Sequence, residues 1–172
     1  MFKLIAASSV SSFFFGLFGV SWESVDAKIQ SEFPGVQSVS TDVLFAWYEA
    51  SDFKRPLIID VRKDGEFRVS HLDDALHLES AEAISSAIAE RGLGKDTEII
   101  VYCSVGYRSA SVAANLQARG FTKVLNLEHS LFEWANKGYP MTGASGSTDK
   151  VHPFSRAWSA LVDDSLHAYP DK

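Results

Sequence analysis

Only one cysteine, Cys103, occurs among the 172 residues. A lone cysteine excludes an internal disulfide, so no covalent framework holds the fold. Basic residues are also scarce. The net charge is −6 and no run of Lys and Arg appears, which removes the electrostatic footprint of a nucleic-acid binder. The segment 38–140 is acidic as well. An anionic substrate must therefore be attracted by local geometry rather than by the field of the whole molecule. His77, His129, His152 and His167 show no metal-ligand spacing with Cys103, so no metal site and no cofactor are read from the sequence. No internal repeat is visible. With 46% hydrophobic and 22% charged residues, the chain has a globular composition and room for one ordinary domain with extensions.

The first twenty residues differ from the rest. Lys3 precedes an apolar stretch of about 17 residues that ends in small residues at Gly19 and Ser21. That order of charge, apolar run and small residues fits a secretory signal peptide over 1–21, cleaved before Trp22. The stretch is at the lower edge of what spans a bilayer, so an uncleaved anchor with membrane contact is the main rival, and an apolar helix docked on the domain is a third reading. The expectation is an exported protein, periplasmic or membrane-anchored, with a cytoplasmic one as the alternative. In an oxidising compartment a free thiol risks mixed disulfides, which favours a working role for Cys103.

Residues 22–37 read as a linker with a short helix near 24–33, because Pro34-Gly35 interrupts the pattern. Ser40 or Thr41 caps a helix carrying Val43, Leu44, Trp47 and Tyr48, which Arg55-Pro56 ends. Continuous apolar runs at 57–61, 98–102 and 123–127, with a shorter one at 75–78, have the character of strands buried on both faces. Between them, helical spacing covers 80–91, 107–119 and 129–137. Strands alternating with helices of this length predict an α/β fold with a parallel sheet. The segment 142–148 reads as a flexible connector, and Trp158, Leu161, Val162 and Leu166 suggest a helical tail within 142–172.

Cys103 falls where the strand 98–102 ends and the helix from 107 begins, the place where parallel sheets bind ligands. A helix N-terminus presents unpaired N–H donors and partial positive charge. A thiol just before it is stabilised as thiolate, and Arg108 adds to the effect. Gly106 lets the loop turn its amides inward to form an anion nest, while Ser104 and Ser109 offer hydroxyl donors. These residues point to transfer of a small group through a covalent bond to sulfur. Asp60 and Arg62, at the end of an earlier strand, either support this site or form a structural salt bridge. His71 reads as a fold histidine and Trp134 as core.

Asp60-Val61-Arg62, Glu66-Phe67, His71-Leu72, Val101-Tyr102-Cys103 with Gly106 and Arg108, and Trp134 with Gly138-Tyr139-Pro140 together resemble the rhodanese homology domain over 38–141. The resemblance implies a central parallel sheet flanked by helices on both faces. It also implies a sulfane sulfur carried as a persulfide on Cys103, cradled by the amides of Ser104, Val105, Gly106, Tyr107 and Arg108. The loop Cys103 to Arg108 has the six-residue length of rhodanese sulfurtransferases; related cell-cycle phosphatases and arsenate reductases use seven. Two blocks depart from the family pattern. Ser70-His71-Leu72-Asp73-Asp74-Ala75 stands where Gly-His-Ile-Pro-Gly-Ala is usual, and His129-Ser130 replaces a Gly-Gly pair.

The expected partners are a small anionic sulfur donor such as thiosulfate and an external acceptor: cyanide, a low-molecular-weight thiol or a protein. No second cysteine exists to resolve the persulfide internally. The sequence also admits two alternatives, a cysteine-based phosphatase or arsenate reductase and a non-catalytic rhodanese-like interaction module.

Overall fold

A computed structural model describes residues 20–50 and 55–170. Of the stretch 1–21 expected to direct export, residues 1–19 lie outside the described residues. No helix among the described residues is long and apolar enough to cross a membrane.

The chain runs α1 (Trp22–Glu32), β1 (Gln37–Val39), α2 (Thr41–Glu49), β2 (Leu57–Asp60), α3 (Asp64–Val69), β3 (Leu76–His77), α4 (Ala81–Glu90), β4 (Ile99–Tyr102), α5 (Tyr107–Ala118), β5 (Val124–Leu127), α6 (Ser130–Asn136), β6 (Met141–Gly143) and β7 (Gly146–Thr148). Five strands form one parallel sheet in the order β1-β5-β4-β2-β3. β4 lies at its centre, paired with β2 and β5, and all four of its residues are buried. That is why Ile99-Ile100-Val101-Tyr102 carries no alternation of apolar and polar residues.

The pleat divides the core into two layers. On one face Ile58, Ile100 and Tyr102 pack with Val25 of α1, Leu44 of α2, and Leu131, Phe132 and Trp134 of α6. On the other face Ile59, Ile99, Val101 and Cys103 pack with Ile84 and Ile88 of α4 and Ala113 and Leu116 of α5. Each fully buried Ile or Leu contributes about 1.5–3 kcal/mol. The helices therefore cover both faces of the sheet, and Cys103 belongs to the α4–α5 face.

Outside this frame the structure differs from the sequence-based expectation in three places. Residues 22–37, read as a linker with a short helix near 24–33, hold a helix of eleven residues, Trp22–Glu32, closed by a capping box between Ser21 and Ser24. It packs into the core through Val25, and Gln37 already belongs to the sheet, so the segment is part of the domain. The segment read as a flexible connector is the β6–β7 hairpin, turned at Gly146 with φ 106° and tied to His71 through Thr142. The tail forms no α-helix. It makes two 3-10 turns, Ser159–Leu161 and Asp164–Leu166, and its apolar residues Leu161 and Val162 are nonetheless buried. Its backbone groups bond elsewhere than along a helix: Asn136 takes the Leu161 carbonyl and the Asp163 N–H, and Val151 pairs with the backbone around His167.

Candidate active site

Cys103 follows β4 directly, and its side chain is 1% exposed. Gly106, three residues on, caps the twelve-residue α5 in the left-handed region (φ 97°). A Cβ there would stand 3.4 Å from the Leu127 carbonyl and 3.5 Å from Asn126 Nδ2 and Ile29 Cδ1. That is ordinary contact, so the backbone angle, not lack of space, requires glycine. In this conformation the Gly106 N–H donates to Cys103 Sγ at 3.2 Å.

The loop is held from behind. The amides of Leu131 and Phe132, at the start of α6, donate to the carbonyls of Cys103 (3.2 Å) and Ser104 (2.9 Å). Asn126 Nδ2 and Ser109 Oγ donate to the Gly106 carbonyl (3.1 and 3.2 Å). The Cys103 N–H donates to Ser130 Oγ (3.2 Å), and that hydroxyl donates to the Leu127 carbonyl (2.9 Å). With its carbonyls occupied on the outside, the loop has its N–H groups available to the sulfur, the geometry of an anion nest. Burial alone pushes the Cys103 thiol up. The Arg108 charge, the Ser109 hydroxyl and the amides of Ser109 and Val105 outweigh it and hold the thiol below its ordinary value.

Arg108 is not an open fork. Its Nη1 and Nη2 donate to the two oxygens of Glu66 (2.9 and 2.6 Å), and Nη2 also donates to Ser104 Oγ (3.0 Å). Ser104 Oγ in turn donates to Glu66 (3.0 Å). Three of the five guanidinium N–H groups are thus committed inside the protein. Burial alone raises the Glu66 carboxyl, but Arg108, the Lys63 N–H and Arg62 hold it below the usual carboxylate range. Arg108 therefore acts on Cys103 as a fixed neighbouring charge and as a brace for the loop.

Asp60 and Arg62 form a fully buried pair. Arg62 donates through Nε and Nη2 to the Asp60 carboxylate and through Nη2 to the Ser70 carbonyl, while its N–H also bonds Asp60. This arrangement clamps the end of β2 to the chain after α3. Arg62 adds positive charge near Glu66. His71 stacks on Phe67 at 4.0 Å and bonds its carbonyl, and Trp134 is buried with its indole N–H on the Pro140 carbonyl.

The two departures from the family pattern fall on left-handed backbone. Asp74 has φ 58°, His129 φ 54° and Ser130 φ 47°. A turn that glycine adopts freely is kept here by side chains with bonds of their own, at a cost of about 1–2 kcal/mol per residue. Ser130 reaches Cys103 and Leu127 as described, and His129 is held between Asp26 and Glu133 while stacking on Trp22. Sequence reasoning did not identify Ser130, Asn126 or the brace formed by Glu66. The replaced Gly-Gly pair was the one available signal for Ser130, because a polar residue at a position that asks for glycine needs a reason.

A buried cysteine, its thiol held below the ordinary value, in a loop between a central parallel strand and a helix places a sulfur at the carboxyl edge of an α/β sheet. Residues 46–137 match the rhodanese-like domain family. The chain is 31% identical over 96 residues to a sulfurtransferase from Allochromatium vinosum, covering 56% of this chain and 87% of that protein. It is 32% identical over 84 residues to tRNA uridine(34) hydroxylase from Escherichia coli, but spans only 24% of that protein's length. Among solved structures, the rhodanese-like domain of an Anabaena protein is similar with a TM-score of 0.54 and 24% identity, covering 62% of this chain and 78% of that one. The polysulfide-sulfur transferase of Wolinella succinogenes has a TM-score of 0.53 and 21% identity, covering 70% and 88%. The chain belongs to the rhodanese-like domain family, and its central parallel sheet flanked by helices is the fold of these neighbours.

Proposed function

We propose that this protein moves sulfane sulfur from a thiosulfate-like donor to an external thiophilic acceptor through a persulfide on Cys103. The observation that carries the reading is the Gly106 N–H on Cys103 Sγ, within a six-residue loop whose arginine is tied to Glu66. Donors that converge on the sulfur itself stabilise a thiolate before transfer and a persulfide anion after it. In the first step the Cys103 thiolate attacks the outer sulfur of thiosulfate. A new S–S bond forms on Cys103, the S–S bond of the donor breaks, and sulfite leaves with the electron pair. In the second step an acceptor nucleophile attacks the outer sulfur, and the electron pair returns to Cys103 as thiolate.

The commitment of Arg108 bears on the phosphatase alternative. Phosphoryl recognition draws on an arginine that offers two parallel N–H groups to the oxyanion, and Glu66 already occupies both ends of this one. The sulfurtransferase reading and the similarity to the Allochromatium protein point the same way. Export remains part of the proposal through the apolar N-terminal segment.

The test is intact-mass analysis of the full chain after incubation with thiosulfate. Wild type is expected to gain the mass of one sulfur atom and to release it as thiocyanate on adding cyanide, whereas Cys103→Ser gains nothing. Aryl phosphate hydrolysis that depends on Cys103, in the absence of any sulfur adduct, overturns the proposal.

A further inference from the structure

Residues 103–106 of the loop are all buried, and only Tyr107 and Arg108 reach the surface. Each is covered by a segment outside the stretch 46–137 that matches the family. The Tyr107 hydroxyl donates to Glu32, and its ring leans on Phe33, at the end of α1. Over Arg108 lies Phe154 of the C-terminal segment, with its ring centre 4.4 Å from the guanidinium carbon.

Phe154 is held there against two preferences. Its φ is 60°, a conformation that costs a residue with a side chain about 1–2 kcal/mol, and its side chain remains 42% exposed, so burial explains little of its position. Strain of this kind persists only where the surroundings impose it. Here the Phe154 N–H donates to His152 Nδ1 at 3.0 Å, the His152 ring packs edge-on against Tyr169 at 5.2 Å, and Val151 is fully buried and bridged to the backbone at His167. A series of contacts therefore sets one aromatic ring on the exposed edge of the Cys103 loop, where it adds a cation–π contact.

We propose that Phe154 is a specificity-determining residue for the sulfur acceptor. The inference rests on the persulfide reading given above. Its ring over Arg108, with the end of α1 against the neighbouring Tyr107, narrows the approach to the outer sulfur, so that a compact nucleophile reaches it and a bulky peptide thiol is hindered. With cyanide, a carbon–sulfur bond forms, the S–S bond to Cys103 breaks, thiocyanate leaves and Cys103 returns as thiolate. With glutathione thiolate, the products are glutathione persulfide and the same thiolate. Both reactions have the same leaving group, so a steric wall changes their ratio and leaves the chemistry alone.

The experiment loads wild type, Phe154→Ala and Phe154→Leu with thiosulfate, confirms the sulfur adduct by intact mass, and follows single-turnover discharge by cyanide and by glutathione. In Phe154→Ala the glutathione rate is expected to rise about tenfold or more while the cyanide rate stays within about twofold, the range that pocket shape alone commands; Phe154→Leu falls between. If the alanine variant does not fold, the leucine variant carries the test against the same wild-type ratio. Loading with an unchanged ratio of the two rates overturns the role of Phe154 and leaves sulfur transfer standing. Failure of wild type to load at all overturns the sulfur-transfer reading itself, and the role of Phe154 with it.

Discussion

Replacing Arg108 by methionine separates the brace from the charge. In the wild type Glu66 is 4% exposed at its side chain and is balanced by an Arg108 that is 29% exposed. Arg108→Met leaves the carboxylate with Ser104 Oγ and the Lys63 N–H as its direct donors. Removing one partner of a buried pair costs about 3–5 kcal/mol, and the partial exposure of Arg108 places this case near 3 kcal/mol. For a domain of this size that is a fall of about 6–12 °C in Tm, within the stability of an ordinary fold. The pH dependence should invert. In wild type Glu66 is depressed below 4.5, so its contribution is present above that value and is lost as pH falls through the folded-state pKa. Without Arg108, burial dominates and the folded-state pKa rises above 4.5. The variant then loses stability as pH rises through that pKa and recovers it toward pH 4.5. Urea unfolding at acid and neutral pH measures this directly. The double variant Glu66→Gln with Arg108→Met should regain about 2 kcal/mol over Arg108→Met, because no buried charge is left alone. The same substitution lifts the Cys103 thiol, and the pH profile of its alkylation moves up. A loss under about 1 kcal/mol with no inversion, or a double variant no better than the single, refutes the brace.

Two further outcomes follow from the same geometry. Ser130→Ala removes the acceptor for the buried Cys103 N–H and should cost about 1–3 kcal/mol, read by chemical denaturation, together with slower uptake of sulfur from thiosulfate; unchanged stability refutes the anchoring role. His129 is lowered by burial but raised overall by Glu133 and Asp26, so its hold on α1 is complete below its ordinary value of 6.5 and weakens as pH rises through the folded-state pKa. Trp22, stacked on His129 at 4.3 Å, should report this in its fluorescence, and His129→Gln should abolish the transition.

The part of the fold legible in the sequence is the part that local physics dictates. β2, β4 and β5 are runs such as Ile99-Ile100-Val101-Tyr102, buried on both faces, and they stand out whatever surrounds them. α4 and α5 declare themselves by apolar spacing, with Ser80 capping the first. β1 is three residues with two of them exposed, and only its pairing with β5 makes it a strand. The tail shows the opposite case: Trp158, Leu161, Val162 and Leu166 are spaced for a helix, but bonds to Asn136 and Val151 draw its backbone into another path.

The site divides in the same way. That Cys103 ends a buried strand and precedes a glycine and an arginine is written in consecutive residues, and so is the prospect of an acidic thiol at a helix N-terminus. Sequence by itself determined the position of the thiol and the course of its loop, because a nest of N–H groups is built from neighbours along the chain. Tertiary structure decided what Arg108 does, since Glu66, 42 residues away in sequence, takes up the fork that an unpaired arginine offers to a substrate's oxygens. It also decided that Ser130 holds the cysteine backbone and that Phe154 lies across the loop edge. Those roles depend on which distant segments packing brings together, and a hydrogen bond of about 3 Å has no counterpart in the spacing of residues along a chain.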